Sequence, residues 1–374
     1  MKLRWQWCAS LLAEDFPVGA YEQLRCSVEG ATPFNRLGWL RGAESALHGQ
    51  RLQILLGWQD QRLLLCLPLI AGRESRAGLP LRVLRHLGHP LADRLALLVA
   101  DEARGAMQEA LQEIRRQLPH DLLQLHELVA AEQLLQPWGR ASWYVQQSLT
   151  CRVPEHRIVP EDRQEASGNL RYELRRAQRR CAEIEARVLR IAPGADEVDE
   201  LLQRLQTVEQ ASWKGADGLG IFSGAQRQQW MHGALRGLAA EGCLRVVLLE
   251  HQGRCISYRL GLLENGRLYD YNIAFLAEYA SLGSGRLLLD EWIRWGLDQG
   301  WHWVDASRVS LGRSSHQLHE RQSGQVLQQR WSFYSRRPRG LLAGSGEWLW
   351  QRLKPHLQAW RQRRQRHPAQ GTRP

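Results

Sequence analysis

Apolar positions change their period several times along the chain, and each change marks an element. Residues 51–58 and 63–70 are nearly continuous apolar runs on either side of Gln59-Asp60-Gln61-Arg62, the pattern of a β-hairpin. Ahead of them 34–47 reads as helical, and behind them 81–87 and 95–100 read as strands. Met107, Leu111, Ile114 and Leu118 recur at helical spacing until Pro119 stops the helix, and 121–128 returns as a strand. Residues 151–169 are polar, carry Pro154 and Pro160, and read as a crossing linker. Helices follow over 170–186, 196–213 and 226–240, then strands over 244–250, 255–263 and 268–275. Gln252-Gly253 and Asn265-Gly266 separate these strands, and the second pair is a strong two-residue hairpin signal, so the three form an antiparallel meander. A glycine turn then opens a helix over 286–299, stopped by Gly300, before a last strand at 302–307. A helix joining two strands in this way sets them parallel.

Strand, hairpin, strand, helix, strand therefore occurs twice. The fold class is α/β: two α/β domains in tandem, each a mixed, mostly antiparallel sheet flanked by helices. The boundaries read as 1–150, a linker at 151–169, a second domain at 170–345 and a tail at 346–374. A length of 374 residues agrees, because single cores rarely grow past ~250–300 residues.

Composition narrows the function classes. The apolar share of 44% is ordinary, and no apolar run approaches the ~20 residues that span a bilayer. The first sixteen residues lack the apolar core of a signal peptide, so a cytoplasmic protein is expected. Seven scattered cysteines without a C-x-x-C pair argue against a disulfide framework and against a zinc site. The net charge of +11 is concentrated: from Gly346 onward there are seven basic residues against one acid. A second basic block contains Arg171, Arg175, Arg176, Arg179 and Arg180.

The glycine turn, Tyr279-Ala-Ser-Leu-Gly-Ser-Gly-Arg286, is the main candidate for chemistry. Glycines at a strand-to-helix junction let backbone N–H groups converge on one locus, where the helix dipole adds partial positive charge. A pyrophosphate fits such a place, with Arg286 as counter-charge. Leu288 stands where a Rossmann fingerprint needs its third glycine, and the Lys-Ser/Thr pair of a P-loop is missing. In the first domain the corresponding junction, 97–104, carries Asp101 and Glu102, which would repel a phosphate. Only the second domain is expected to bind an anionic cofactor.

Tyr269, Tyr271 and Ala274, then Tyr279-x-x-Leu-Gly-Ser-Gly, then Asp305-x-x-Arg308, resemble the acyl-CoA-binding core of the GNAT acyltransferase superfamily. Leu170-Arg-Tyr-Glu-Leu-Arg-Arg176, Ala211-Ser-Trp-Lys-Gly215 and Ile221-Phe-Ser223 resemble a tandem subgroup of CelD-like acetyltransferases and FemA/FemB-like aminoacyltransferases. Phe34-Asn-Arg-Leu-Gly-Trp39 and Leu87-Gly-His-Pro-Leu-Ala-Asp93 fit the same subgroup, so the likeness runs over about residues 32–336. It implies two GNAT-like domains and acetyl-CoA, or another acyl-CoA, at Leu282, Gly283, Ser284, Gly285, Arg286 and Leu287. On the substrate side it implies Trp213, Lys214, Tyr271 and Arg308. The chain departs from the pattern where Leu282 precedes the turn glycine and where 314–319 replaces a Tyr-Lys pair.

In that superfamily an amine attacks a thioester directly, which calls for a base, oxyanion donors and an acid for the thiolate. Asp270 is the candidate base: it shares a strand face with Leu268, Asn272 and Ala274, and a carboxylate there must be used or paired. A hydrogen-bonded structural Asp is the competing reading. Asp305 ends the last strand and would face the same cleft, or pair with Arg308. Tyr334 could protonate a thiolate, although Trp331-Ser-Phe-Tyr334 also suits a core. His316 and His319 stand as H-x-x-H-E without a third ligand, so no metal is assigned. The tail interleaves Trp348, Leu349, Trp350, Leu353, Leu357 and Trp360 with Arg and Lys, suiting an anionic membrane surface, with Pro355 expected to interrupt its helix.

The function implied is acyl-CoA-dependent N-acyl transfer to an amino group, such as that of a cell-envelope or polysaccharide precursor. A FemAB-like aminoacyltransferase using charged tRNA and a catalytically silent binding protein are the alternatives.

Overall fold

The computed structural model describes residues 2–309, 311 and 316–366. The first half contains β1 (Arg4–Cys8), α1 (Val18–Ser27), α2 (Leu37–Ser45), β2 (Arg51–Gln59), β3 (Arg62–Arg76) and β4 (Leu79–His86). It continues through β5 (Leu98–Val99), α3 (Met107–Gln117), β6 (Leu122–Leu128), α4 (Glu132–Ala141) and β7 (Tyr144–Arg157). The second half contains α5 (Gly168–Glu183), β8 (Arg187–Ile191), α6 (Val198–Gln210), α7 (Trp213–Ala216) and α8 (Gly224–Ala240). After these come β9 (Leu244–His251), β10 (Arg254–Glu264), β11 (Arg267–Phe275), α9 (Ser284–Gln299), β12 (Trp303–Asp305), β13 (Gly324–Tyr334) and α10 (Pro338–Arg366).

All these strands join one sheet in the order β1-β2-β3-β4-β6-β13-β7-β12-β11-β10-β9-β8, with β5 added on β3. The order is the same from either end once β1 is matched with β8, β4 with β11, β6 with β12 and β7 with β13. The two parallel pairs, β4 with β6 and β11 with β12, occupy matching places. The predicted duplication is therefore present, and so is the predicted meander: β9, β10 and β11 pair antiparallel. At its second turn Asn265 and Gly266 both take positive φ, 47° and 72°, as a two-residue hairpin turn requires.

The centre of the sheet corrects the sequence boundaries. β7, from the first half, pairs with β12 of the second, while β13, from the second half, pairs with β6 of the first. β13 pairs with β7 along its whole length. Each lobe thus completes its sheet with a strand beside one from the other half of the chain. Residues 151–157, read as linker, are the end of β7. Their polar side chains hid the strand, whose ladders are completed by β13 on one side and β12 on the other. The expected strand at 95–100 shrinks to Leu98–Val99, and the expected helix at 34–47 divides into a 3-10 turn, Pro33–Asn35, and α2. α10 runs through Pro355 instead of breaking there, so the tail as far as Arg366 continues a helix begun in the second domain. A proline removes one intrahelical hydrogen bond and leaves the rest of the helix able to continue.

The lobes meet through α2 and α8, the matched helices of the two halves. A Cβ on Gly38 would lie 2.7 Å from the carbonyl carbon of Gly237, and one on Gly42 would lie 2.4 Å from the Ala234 nitrogen. Backbone packs on backbone here. Around the crossing, Phe34, Trp39, Trp230 and Tyr271 form an aromatic cluster across the lobe boundary. Arg25 and Arg36 from the first half both pair with buried Glu264 of the second. No helix among the described residues is long and apolar enough to cross a membrane.

Candidate active site

β11 and β12 pair through only three residues, the last being Tyr269 opposite Asp305. β12 then ends while β11 runs on to Phe275, so a gap opens at Asp270. The glycine turn closes one end of this gap. Gly283 takes φ 72° and caps α9 with no side chain bonded to the helix start. Among the described residues the first-turn N–H groups of α9 have no side-chain acceptor, the arrangement that receives an anion. A Cβ on Gly283 would stand 3.6 Å from the Ala177 methyl of α5, and one on Gly285 would stand 3.1 Å from Nε2 of Gln317. Leu282 and Leu287 are buried on either side and fix the turn to the core, and the Ser284 hydroxyl donates to Ser257 at 2.9 Å.

Arg286 is not a free counter-charge. Its guanidinium forks onto Glu320, with contacts of 2.5, 2.9 and 3.0 Å. The cation beside the turn is supplied instead by α5, whose Arg180 donates to the Ser281 carbonyl.

Asp270 lies at the opening of the gap, fully enclosed. Arg259 is ion-paired with it, the Trp292 indole N–H lies 3.3 Å from Oδ1, and His316 Nε2 lies 3.3 Å from Oδ2. Burial alone would raise the Asp270 pKa. Arg259 and His316 outweigh it and hold the carboxyl below its usual value. A carboxylate so stabilised is a weak proton acceptor. Arg259 also donates to the Gly285 carbonyl at 3.1 and 2.9 Å and to Gln317 at 2.7 Å, so Asp270 is tied through it to the glycine turn. Neither Arg259 nor Gln317 carries a sequence signal for this role; their contacts arise between elements distant in the chain.

Two of the sequence candidates stand elsewhere. Asp305 is completely buried and accepts both guanidinium N–H groups of Arg94, at 2.6 and 3.0 Å, with Arg267 at 3.2 Å. It joins the lobes and does not face the gap, and Arg308 pairs with Glu127 at 3.1 Å rather than with Asp305. Tyr334 is buried on β13 beside Leu81, Val83 and Leu122 of the first lobe. Burial pushes its hydroxyl up to about 12, and it cannot serve a thiolate at the glycine turn. These corrections share a cause: β12 and β13 are flanked by strands and loops of the first half, which sequence spacing does not reveal.

A second polar group lies further along β11, on the face that Asp270 shares with Asn272. Lys214, just inside α7, donates to Asn272 Oδ1, and Asn272 donates to Glu209 at 2.7 Å and to the Tyr258 hydroxyl at 2.9 Å. Burial lowers the Lys214 pKa against the opposing pull of Glu209, Asp93 and Asp270. Trp213 beside it is exposed, with the Lys214 ammonium 6.0 Å from its ring centre. Tyr271, from the opposite face of β11, donates to the Leu91 carbonyl at 3.0 Å. Thus Lys214 enters the polar group, Trp213 stays at its edge, and Tyr271 secures the neighbouring first-lobe loop.

That loop delivers Asp93, missed as a chemical group although it ends the Leu87–Asp93 stretch. Its charge acts on Lys214 and Tyr271, and Arg308 acts on it in turn. Burial raises Asp93 to about 7, against the pull of Arg308 and the Ser307 hydroxyl. A carboxyl titrating near neutrality is matched to proton transfer. Of the 314–319 segment, residues 314 and 315 lie outside the described residues. His316 does not sit in a metal cluster with His319: it faces Asp270, while His319 bonds Gln322 at 3.1 Å.

A family model described as an acetyltransferase (GNAT) domain matches residues 168–315. A search of curated proteins returns no match. Among solved structures the chain is similar to FemX, with TM-score 0.60 and 10% identity, over 86% of this chain and 96% of that one. It is similar to L-PGS from Bacillus licheniformis, with TM-score 0.51 and 13% identity, over 84% and 92%. It also resembles a tandem GNAT protein from the clavulanic acid biosynthesis pathway, with TM-score 0.50 and 11% identity, over 88% and 98%. At such identities the likeness is one of fold. The segment that carries the glycine turn thus matches the GNAT acetyltransferase domain family, and the duplicated sheet as a whole shares the fold of these two-lobed structures.

Proposed function

We propose that the chain is an acyl-CoA-dependent N-acyltransferase, with the pyrophosphate on the first turn of α9 and the thioester directed into the gap between β11 and β12. The observation that carries this reading is the uncapped, glycine-lined start of α9 at the mouth of that gap. An amine enters from the side of Asn272, Lys214 and Trp213. Its nitrogen attacks the thioester carbonyl as it loses a proton to Asp93; the C–N bond forms, the C–S bond breaks, and CoA leaves as its thiol after taking up a proton. Asp270 acts as a positioning residue through Arg259, and no metal takes part in this reading.

Aminoacyl transfer from charged tRNA is the second reading. It is supported by Arg180 of the arginine-rich α5, which donates to the turn carbonyl of Ser281, and by the Arg286–Glu320 pair, which occupies the side chain that would otherwise meet a pyrophosphate. Calorimetric titration of the full chain with acetyl-CoA, together with mass spectrometry of ligands that co-purify, separates the two. Saturable heat and bound CoA support the first reading; no heat, with retention of aminoacyl-tRNA on a filter, would replace it by the second. The acceptor is proposed to be an amine of a cell-envelope or polysaccharide precursor, reached with the help of α10 at an anionic membrane surface.

A further inference from the structure

The first lobe has a gap of its own. β4 and β6 pair in parallel over three residues, Val83–Arg85 with Leu122–Gln124, and then separate as β11 and β12 do. Here the helix that follows, α3, has Ala106 and not a glycine as its cap. At this point lies a cavity of about 80 Å³ lined by His86, His89, Gln124, His126, Arg308 and Arg330, among others. The walls come from both halves of the chain, because Arg308 follows β12 and Arg330 lies on β13. A cavity of this size holds several water molecules or one small anion.

Its chemistry selects the anion. Arg330 donates from Nε to His126 Nδ1 at 3.1 Å, so the neutral His126 ring carries its proton on Nε2. That Nε2 is buried and has no hydrogen-bond partner among the described residues. The Gly88 N–H donates to His86 Nδ1 at 3.1 Å, which likewise leaves the His86 proton on Nε2. His89 stacks on His126 with ring centres 4.3 Å apart. Burial, reinforced around His89 and His126 by Arg85, Arg308 and Arg330, keeps these rings neutral: His86 and His89 fall to about 3 and His126 to about 2. Glu127 is the carboxylate in the lining, and it is already taken by Arg308 at 3.1 Å and by Thr150 at 2.6 Å. Arg85 is drawn toward Gln124 and Glu74 at the rim. Among the described residues the lining thus sets the unpartnered His126 Nε2 donor and two guanidinium groups against a single carboxylate, Glu127, which is ion-paired with Arg308.

We propose that this cavity is an oxyanion site that holds the phosphate or carboxylate of the amine acceptor. The inference rests on the acyl-transfer reading for the word acceptor, but the anion site stands on the cavity alone. Arg308 links the two: it lines the cavity and also acts on Asp93, the group assigned to take the proton of the attacking amine. An acceptor anchored by its anion on Arg308 and Arg330 would present its amine toward Asp93. The site is the first lobe's counterpart of the cofactor gap, turned from a donor site into an acceptor anchor.

The test uses the full chain labelled at its histidine rings, with inorganic phosphate and acetate as separate probes and His89→Asn and His126→Asn for resonance assignment. Phosphate, acetate or both should shift the His89 and His126 resonances saturably and raise the pH at which His89 protonates, because a bound anion offsets the three arginines. Arg330→Gln should weaken the response roughly tenfold, the scale of one charge-assisted hydrogen bond. Gln124→Glu, which adds a negative charge to the lining at nearly constant volume, should do the same. Response to one probe alone identifies the anion class. Absence of any saturable shift at tens of millimolar, or equal shifts in both variants and the parent, overturns the proposal. Acetyl-CoA calorimetry on the same samples keeps the readings apart: its failure would remove the cofactor reading and leave the anion site standing.

Discussion

Arg94 and Asp305 lie 211 residues apart in sequence and form a buried, two-pronged ion pair, at 2.6 and 3.0 Å, between the lobes. The Arg94 guanidinium also lies 5.2 Å from the ring centre of Tyr269, the β11 residue paired with Asp305. The pair holds the first-lobe loop that carries Asp93 against the point where the second lobe's gap begins. Replacing Asp305 by Asn should cost about 3–5 kcal/mol of stability, because Arg94 is left as a buried charge without compensation. Urea denaturation monitored by tryptophan fluorescence measures it. A cost near zero would show that the contact adds nothing to the lobe junction.

The helix crossing makes a steric prediction. A Cβ on Gly237 would stand 2.5 Å from the Gly38 Cα, with no flexible side chain to give way. Gly237→Ala should therefore cost about 1–3 kcal/mol, and Gly237→Val more. Differential scanning calorimetry should find the whole unfolding transition moved down, since the two lobes share one sheet. An unchanged midpoint in Gly237→Val would mean that α2 and α8 separate readily.

At the glycine turn, Gly283→Val places a branched side chain where the backbone has φ 72° and where, on the proposed reading, a pyrophosphate would approach. The conformational cost is about 1–2 kcal/mol. Acetyl-CoA affinity should fall by more than roughly tenfold, over 1.4 kcal/mol. Calorimetry on a variant whose circular dichroism matches the parent decides this, and undiminished affinity would move the cofactor elsewhere.

Asp93 gives opposite predictions for activity and stability. As a base it must be ionised, so kcat/KM should rise with pH through about 7. Its folded-state pKa lies above the unfolded value, so the unfolded chain releases this proton at lower pH. The contribution of Asp93 to stability is thus present below the unfolded pKa and is lost as pH rises through about 7. Asp93→Asn should lower kcat/KM by about 10²–10⁴, flatten that limb of the profile, and leave the melting temperature at pH 8 no lower than the parent's. A variant with a parental pH profile would exclude Asp93 as the base.

The last helix carries Trp348, Leu349, Trp350, Leu353 and Leu357 exposed, with the Arg352 guanidinium 3.9 Å from the Trp348 ring centre. Truncation after Gly346 removes these residues and seven basic side chains. Vesicles containing anionic lipid should retain the full chain at low salt and lose the truncated one, because each basic residue near such a surface contributes roughly 1 kcal/mol. Raising the salt to 1 M, where screening acts within about 3 Å, should release the full chain too. Equal co-sedimentation of both forms would assign the exposed face another role.

Much of the local architecture was legible from the chain alone. The apolar strand runs, the Asn265-Gly266 turn, the helix stop at Gly300 and the uncharged glycine start of α9 are decided by residues within one or two turns of each other. Nearest-neighbour sterics and backbone hydrogen bonding suffice for them. The duplicated grammar was legible for the same reason, since each copy repeats its own local signals. The partners of β7 and β13 were not. A strand's edges are satisfied by whichever strand lies beside it, and here those neighbours come from the opposite half of the chain. That exchange decided the chemistry as well: it buried Tyr334 in the first lobe and left Asp305 on Arg94. It also set β12 at the junction where the Arg308 that follows acts on Asp93. Asp270 was found from its strand face, but its low pKa comes from Arg259 on β10 and His316 beyond β12, just as the raised pKa of Asp93 comes from its enclosure between the lobes. The residue types are properties of sequence. Whether a carboxyl becomes a brace or a base depends on burial and neighbouring charge, and these exist only once the two lobes have closed.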